Sequence, residues 1–322
     1  MLRQIMSLAL TAGLVVGGFS AAAQDYPNRP IRFVQGFAPG GNADVITRIL
    51  GEEMSKSLGQ PIVSEARPGA GGNLASEQVV RMTPDGYTMV LLTTAHVISP
   101  ALYKSLNFDP VKDFQFLSTV TDLPFFFVAN SESRFKSIKD VVDEARAKPG
   151  TVTVGTAGVG TGQHMCTELF ASATGSKVVH VPFRGDSGAV TALLGKNVDV
   201  IVAPGTAILG NIQGGKFKAL AISGTERWPP LPDVPTVAET VAPGFEMMAW
   251  VGVGTTARVP RPIVDRLNAE LRKAIAAPNV DKRLRDLGGF PKSSTPEEMK
   301  TKVETHIRNW TDLANKAGIP KR

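Results

Sequence analysis

The chain alternates short runs of β-prone apolar residues with longer stretches in which apolar positions recur every three or four residues. The runs at 31–37, 61–65, 87–93, 115–121, 124–130, 151–155, 177–183, 198–202, 217–223 and 246–254 read as strands. Residues 43–58 place Val45, Ile46, Ile49, Leu50 and Met54 along one helical stripe. Ser137 and Asp140 form a capping-box start for a helix over 138–147, which Pro149-Gly150 ends. Thr295-Pro296-Glu297-Glu298 supplies an N-cap, a first-turn proline and an N3 glutamate. The terminal helix that follows has Met299, Val303, Ile307 and Trp310 on its inner face and is expected to end near Gly318. Strands alternating with helices predict an α/β chain, a sheet covered by helices.

Two extended stretches stand apart from this rhythm. "FLSTVTDLPFFFVAN" is nearly continuous but for Pro124, and "FEMMAWVGVGTT" follows much later. They bracket the block 130–245, as they would if the chain crossed into a second domain and returned. One lobe is therefore expected from 24–123 plus 253–322 and the other from 124–252. A length of 322 residues with 43% hydrophobic content is enough for two cores.

Residues 1–23 carry Arg3, an apolar middle from Met6 to Val16 and a small-residue end at Ala21-Ala22-Ala23. That pattern is a cleaved secretory signal peptide, so the mature protein is expected to be soluble and exported. The scattered Lys and Arg give the whole chain a net charge of +6 without an aromatic-interleaved basic patch, so no nucleic-acid partner is expected. Cys166 is the sole cysteine and cannot form an intramolecular disulfide. His96, His164, His180 and His306 lie far apart without metal-ligand spacing, so neither a metal nor another cofactor is expected.

Candidate chemistry concentrates in glycine-rich turns, each placed between a strand and a helix: "FAPGGNAD" (Phe37 to Asp44), "ARPGAGGN" (Ala66 to Asn73) and "GTAGVGTGQH" (Gly155 to His164). The first N–H groups of a helix have no intrahelical acceptor, and the peptide dipoles put partial positive charge there. A glycine turn lets a ligand approach those groups, which makes an anion site, although α/β proteins also use such turns as plain corners. The third turn has Thr161 where a phosphate loop needs lysine and Gln163 where a dinucleotide fingerprint needs glycine, so a carboxylate fits better than a nucleotide. In the first turn Phe37, Ala38, Gly40, Gly41 and Asn42 are placed to meet the ligand with backbone groups, while Asp44 shapes the loop, because its carboxylate would repel an anion set against it. In the third turn the corresponding residues are Ala157, Gly158, Gly160 and Thr161; His164 either caps the loop or reaches the ligand.

"RGDSGA" at 184–189 is similar to the surroundings of a serine-protease nucleophile, but it lies between a strand and a helix rather than in a β-barrel. Asp186 or Ser187 is better read there as an N-cap. Cys166 stands two residues from His164, too out of phase on a helix to be activated by it, and reads as a small buried hydrophobe. With no nucleophile and base to pair, the chain is not expected to be an enzyme.

The segments "YPNRPIRFVQGFAPGGNADVITRIL", "RPGAGGNLASEQVVRMTPDGYTMVL", "FDPVKDF", "GTAGVGTGQHMCTELF", "HVPFRGDSGAVTALLGKNVDVIV", "LPDVPTVAET" and "WVGVGTTARVPRPIVDRLNAEL" together resemble the substrate-binding proteins of tripartite tricarboxylate transporters, the Bug or TctC-like receptors. The resemblance implies a type II periplasmic-binding-protein fold, two α/β lobes joined by crossing strands with a cleft between them. It implies a monomeric solute receptor in the periplasm that grips a small organic carboxylate in the cleft and delivers it to one large and one small integral membrane subunit. A periplasmic sensor feeding a signalling receptor has the same sequence features. By the same match Thr94, Arg184, Gly185 and the 203–206 loop with Pro204 and Gly205 line the cleft. Ala66, Ala75 and Ala203-Pro204-Gly205-Thr206 depart from commoner, more polar or smaller residues of the family. That departure, with Phe125, Phe126, Phe127, Met247 and Met248 as apolar walls, leads us to expect an aromatic or extended carboxylate rather than a compact amino acid.

Overall fold

The structure, a computed structural model, describes residues 26–316 and 321; the expected signal peptide and the expected helix end at Gly318 lie outside the described residues. In chain order the elements are β1 (Ile31–Gln35), α1 (Asn42–Leu58), β2 (Ile62–Ala66), α2 (Asn73–Val80), β3 (Thr88–Thr93), α3 (Thr94–Leu102), β4 (Phe114–Asn130), α4 (Ile138–Ala147), β5 (Thr153–Thr156), α5 (Gly162–Thr174), β6 (Val179–Pro182), α6 (Asp186–Leu194), β7 (Val200–Pro204), α7 (Gly205–Gln213), β8 (Phe217–Ile222), α8 (Val237–Thr240), β9 (Met248–Thr256), α9 (Arg261–Ala276), α10 (Pro278–Asp286), β10 (Phe290–Pro291) and α11 (Pro296–Lys316).

The caps read from the sequence are in place. Ser137 accepts from the Asp140 N–H while Asp140 accepts from Ser137, a reciprocal box that starts α4. Thr295 and Glu298 make the same exchange before α11, at 3.1 and 2.8 Å. On α1, Ile46, Ile49, Leu50 and Met54 are buried and Val45 half-buried, so the stripe faces the core as its spacing requires.

All the strands join one curled sheet in the order β2-β1-β3-β9-β4-β7-β5-β6, with β10 and β8 also paired to β4. β1 lies parallel between β2 and β3, and β5 lies parallel between β6 and β7. These two parallel groups belong to different lobes and are linked through β9 and β4, which run antiparallel to their neighbours.

The two strands expected at 115–121 and 124–130 are a single strand of 17 residues. Pro124 does not break it because it stands where the partners change. β4 pairs with β9 from Phe114 to Pro124, and with β7 and β8 from Phe125 onward. A proline brings no N–H, and at a change of partner none is missed.

The side chains of β4 alternate between two cores. Phe125, Phe127 and Ala129 join the large cluster that continues through both lobes. Phe126 and Val128 join a smaller one with Ile201, Ala203, Ile208, Phe217 and Trp228. The phenylalanine triplet is thus two cores read alternately, and of its three rings only Phe125 borders the cleft. Met247 is also core rather than cleft wall.

Candidate functional site

At the ends of β1, β3, β5, β6 and β7, the turns into α1, α3, α5, α6 and α7 all face the gap between the lobes. Hydrogen bonds and several close contacts between the described residues span it. The Ala38 N–H donates to the Arg184 carbonyl at 3.0 Å, the Asn42 N–H to Asp186 Oδ2 at 3.2 Å, and Thr206 Oγ1 to Asn42 Oδ1 at 2.7 Å. The "ARPGAGGN" turn meets the third glycine turn, with Gly71 against the Val159 carbonyl.

Between these contacts lies a small cavity, ≈ 30 Å³, walled by Phe37, Leu123, Phe125 and Pro204 and given polar groups by Asn42, Thr94, Gln163 and Asp186. Ala43 in the first turn of α1 and Ala157 before α5 bring backbone to its edge. A second chamber, ≈ 140 Å³, opens beyond Phe37 and Ala157 and is lined by Tyr103, Gly158, Phe183 and Arg184.

The sequence-chosen residues divide by position. Phe37, Asn42, Thr94, Ala157 and Pro204 border the first chamber, and Phe37, Ala157, Gly158 and Arg184 the second. Gly41 abuts Asp186, and Gly185 abuts Ala38 across the gap. Gly205 presses on the backbone of Leu287. Gly160 lies against Tyr103. Thr161 caps α5, accepting from the His164 N–H at 3.3 Å and donating to the Gly158 carbonyl at 2.7 Å. Gly40 is exposed on the outer side of its turn.

Asp44 turns back into its own loop. Oδ2 accepts from the Gly40 N–H at 3.0 Å and from Arg48 Nε at 3.1 Å, while Ser64 Oγ donates to Oδ1 at 3.4 Å. Burial pushes its carboxyl up, but these donors and the Arg48 charge outweigh burial and hold it below the ordinary carboxylate value. His164 likewise braces its turn, with Nδ1 accepting from the Gly160 N–H at 3.3 Å and its ring 4.2 Å from that of His180. Thr94 is a strut: Oγ1 accepts the Trp250 N–H at 2.9 Å, tying α3 to β9. Cys166 is fully buried, and burial pushes its thiol far up, leaving it inert.

Asp186 is the main correction. It is not an N-cap, for Gly185 holds that position, and neither Asp186 nor Ser187 caps α6. The carboxylate instead enters the cavity, 5% exposed, where Oδ2 accepts from Asn42 and Oδ1 from Gln163 Nε2 at 3.0 Å. Burial raises its pKa, and those two donors only partly offset the rise. Gln163 was also missed. The available signal was positional: "RGDSGA" opens a helix at a strand end, as the two chosen glycine turns do.

Among the described residues no cluster of His, Cys, Asp and Glu is arranged to hold a metal ion, and no helix is long and apolar enough to cross a membrane.

The comparisons with known proteins agree with this architecture. The family described as "Tripartite tricarboxylate transporter family receptor" matches residues 46–319. A solved periplasmic binding protein, BugD, superposes with a TM-score of 0.89 at 33% identity, covering 92% of this chain and all of that one. MatC from Rhodopseudomonas palustris, solved with bound malate, gives 0.85 at 32% identity over 89% of this chain and 99% of its own. R. palustris Rpa4515, solved with adipate, gives 0.89 at 29% identity over 92% and 100%. Two lobes facing across a cleft of helix N-termini are therefore the periplasmic-binding fold of the Bug and TctC type, and this chain belongs to the tripartite tricarboxylate transporter receptor family, a family of solute-binding proteins rather than enzymes.

Proposed function

We propose that the protein is exported through its signal peptide, binds a small organic carboxylate in the cleft as a monomer, and hands it to the large and small membrane subunits of a tripartite transporter. The observation that carries this reading is the opposition of two helix N-termini, α1 and α5, across one enclosed cavity. The first N–H groups of each helix have no intrahelical acceptor, and a carboxylate between them is the complementary ligand. The turns of Phe37 to Asn42 and Ala157 to Thr161 grip the carboxylate, with Thr94, Pro204 and Gly205 completing the walls; Asp44 and His164 keep the turns in shape.

The cavity is too small to seat a dicarboxylate as it stands, so the lobes ease apart to admit the ligand and close on it. The second chamber beyond Phe37, with Tyr103 and Phe183, favours an extended or aromatic acid over a compact one. The ligands of the two R. palustris proteins, malate and adipate, support the carboxylate class. The change of β4 partners at Pro124 supports dividing the chain into 24–123 plus 253–322 and 124–252.

A thermal-shift panel of mono-, di- and aromatic carboxylates on the mature protein tests the ligand. A midpoint raised by adipate or an aromatic acid more than by malate is the expected result; no shift with any carboxylate overturns the reading. Uptake of the active acid by cells with and without the receptor gene tests the transport partner. Normal uptake without the receptor, accompanied by loss of a transcriptional response, would assign it to signalling.

A further inference from the structure

The carboxylate grip just described leaves unused the one ionisable side chain that borders the first chamber, Asp186. It has no ion-pair partner among the described residues; both acceptor bonds come from neutral donors, the Asn42 N–H and the Gln163 amide. The charged groups on the surrounding elements pair with one another or lie outside the first chamber. On α1, Asp44 and Arg48 bond each other. On α5, His164 and Glu168 lie 3.6 Å apart, and the ring of His180 on β6 packs tilted against that of His164. Arg184, just before α6, is exposed and borders the second chamber rather than the first. Helix α7 carries no charge at all.

An ionised carboxylate enclosed without a cation costs more than two neutral hydrogen bonds return. Burial already drives this carboxyl above its ordinary value. A ligand carboxylate held at the start of α1 would add a second negative charge to the same chamber and raise the cost again. A proton on Asp186 removes both penalties, keeps an oxygen lone pair for each existing donor, and gives the ligand an O–H to accept from.

We propose that Asp186 is the neutral acid when the cleft is closed on a carboxylate, so that capture of the anion takes one proton from solvent onto Asp186, which donates it in a hydrogen bond to the ligand. This inference rests on the carboxylate reading of the cleft. It makes Asp186 a specificity-determining residue. A ligand end that accepts a hydrogen bond is favoured there, and an ammonium group would instead meet an ionised Asp186 and take up no proton.

Calorimetric titration with adipate, malate and aspartate, in paired buffers of different ionisation enthalpy, tests it on wild type and D186N. The expected result for adipate or malate is uptake of about one proton per bound acid and a Kd that weakens about tenfold per pH unit, in the window above the pKa of Asp186 in the ligand-free protein and below its higher pKa in the complex. D186N, which keeps a donor in place, removes the uptake and flattens the pH dependence. Tight binding by wild type without uptake overturns the proposal while leaving the carboxylate reading standing. So does uptake that persists in D186N, which would belong to His164 or His180, and so does aspartate binding more tightly than malate without uptake. If no carboxylate binds at any pH, the carboxylate reading itself fails and this inference falls with it.

Discussion

Gly205→Ala should act as a wedge between the lobes. Gly205 opens α7 in one lobe; a Cβ added there would lie 2.5 Å from the Leu287 carbonyl oxygen and 3.1 Å from its carbon, in the turn after α10 of the other lobe. Real Cβ atoms essentially never come within 3.0 Å of such a neighbour, and both opposing atoms are backbone, so one lobe must withdraw by at least the missing 0.5 Å (3.0 less 2.5). The φ of Gly205 is not positive, so alanine adopts it without strain, and the obstacle its methyl meets is the backbone of the Leu287 turn. Overpacking of this kind costs about 1–3 kcal/mol. If that whole cost falls on the closed form, binding weakens by roughly five- to over a hundredfold, a tenfold change being about 1.4 kcal/mol. The assay is calorimetric binding of the acid found by the panel, beside urea unfolding of the ligand-free protein. The same substitution at Gly210, further along α7 with no atom within 4 Å, is the control and should leave binding unchanged. Wild-type affinity in Gly205→Ala would refute the claim that ligand is held by closure of α7 onto the Leu287 turn.

Asp44→Ala removes the acceptor that folds Gly40 back onto its turn, so ligand-dependent thermal stabilisation should vanish while the protein still folds, with a loss of about 1–2 kcal/mol from the broken hydrogen bonds. Because the folded pKa of Asp44 is depressed, its contribution is complete above the ordinary carboxylate pKa and disappears as pH falls through the folded value. The stability curves of wild type and Asp44→Ala should therefore converge in acid, and a constant gap would contradict the assignment. His96, whose Nε2 lies 2.8 Å from the Pro110 carbonyl among Phe108, Phe114 and Phe116, is held neutral by burial with its pKa lowered to about 4. The unfolded chain protonates near the ordinary histidine value, so stability should fall by roughly 3 kcal/mol as pH drops from about 6.5 to 4. His96→Asn should flatten that slope in urea titrations, and an unchanged slope would place the acid sensitivity elsewhere.

The fold was legible wherever a local rule decided the outcome. Helix caps at Ser137 and Thr295, the stripe of α1 and most strand positions follow from spacing and cap chemistry that act within a few residues. What the pattern could not supply was partnership. Pro124 looked like a strand break because a proline ends a ladder unless the partner changes there, and only the pairing of β4 with β9, β7 and β8 reveals that it does. Phe126 and Phe127 looked like cleft walls because period-two alternation does not say which of two cores each face meets. Asp186 was read as a cap by local chemistry, whereas its position in the cavity depends on Asn42 and Gln163, 144 and 23 residues away in the chain. The backbone-rich glycine turns were found because their composition alone signals exposed helix N-termini; the side chains that complete the cavity carry no such mark.

The partner change at Pro124 also bears on how such a receptor can diversify. A rotation of one lobe against the other at that point twists two strand backbones, and the proline has no N–H bond to surrender. The hinge thus has no ladder bond to break, although Leu123 and Phe125 on either side of it wall the first chamber, and the contacts at Ala38, Asn42, Gly71 and Gly205 oppose opening. Substitutions in the turns can then retune ligand choice and closure together while the sheet that carries both lobes stays untouched, which separates the evolution of specificity from the upkeep of the fold.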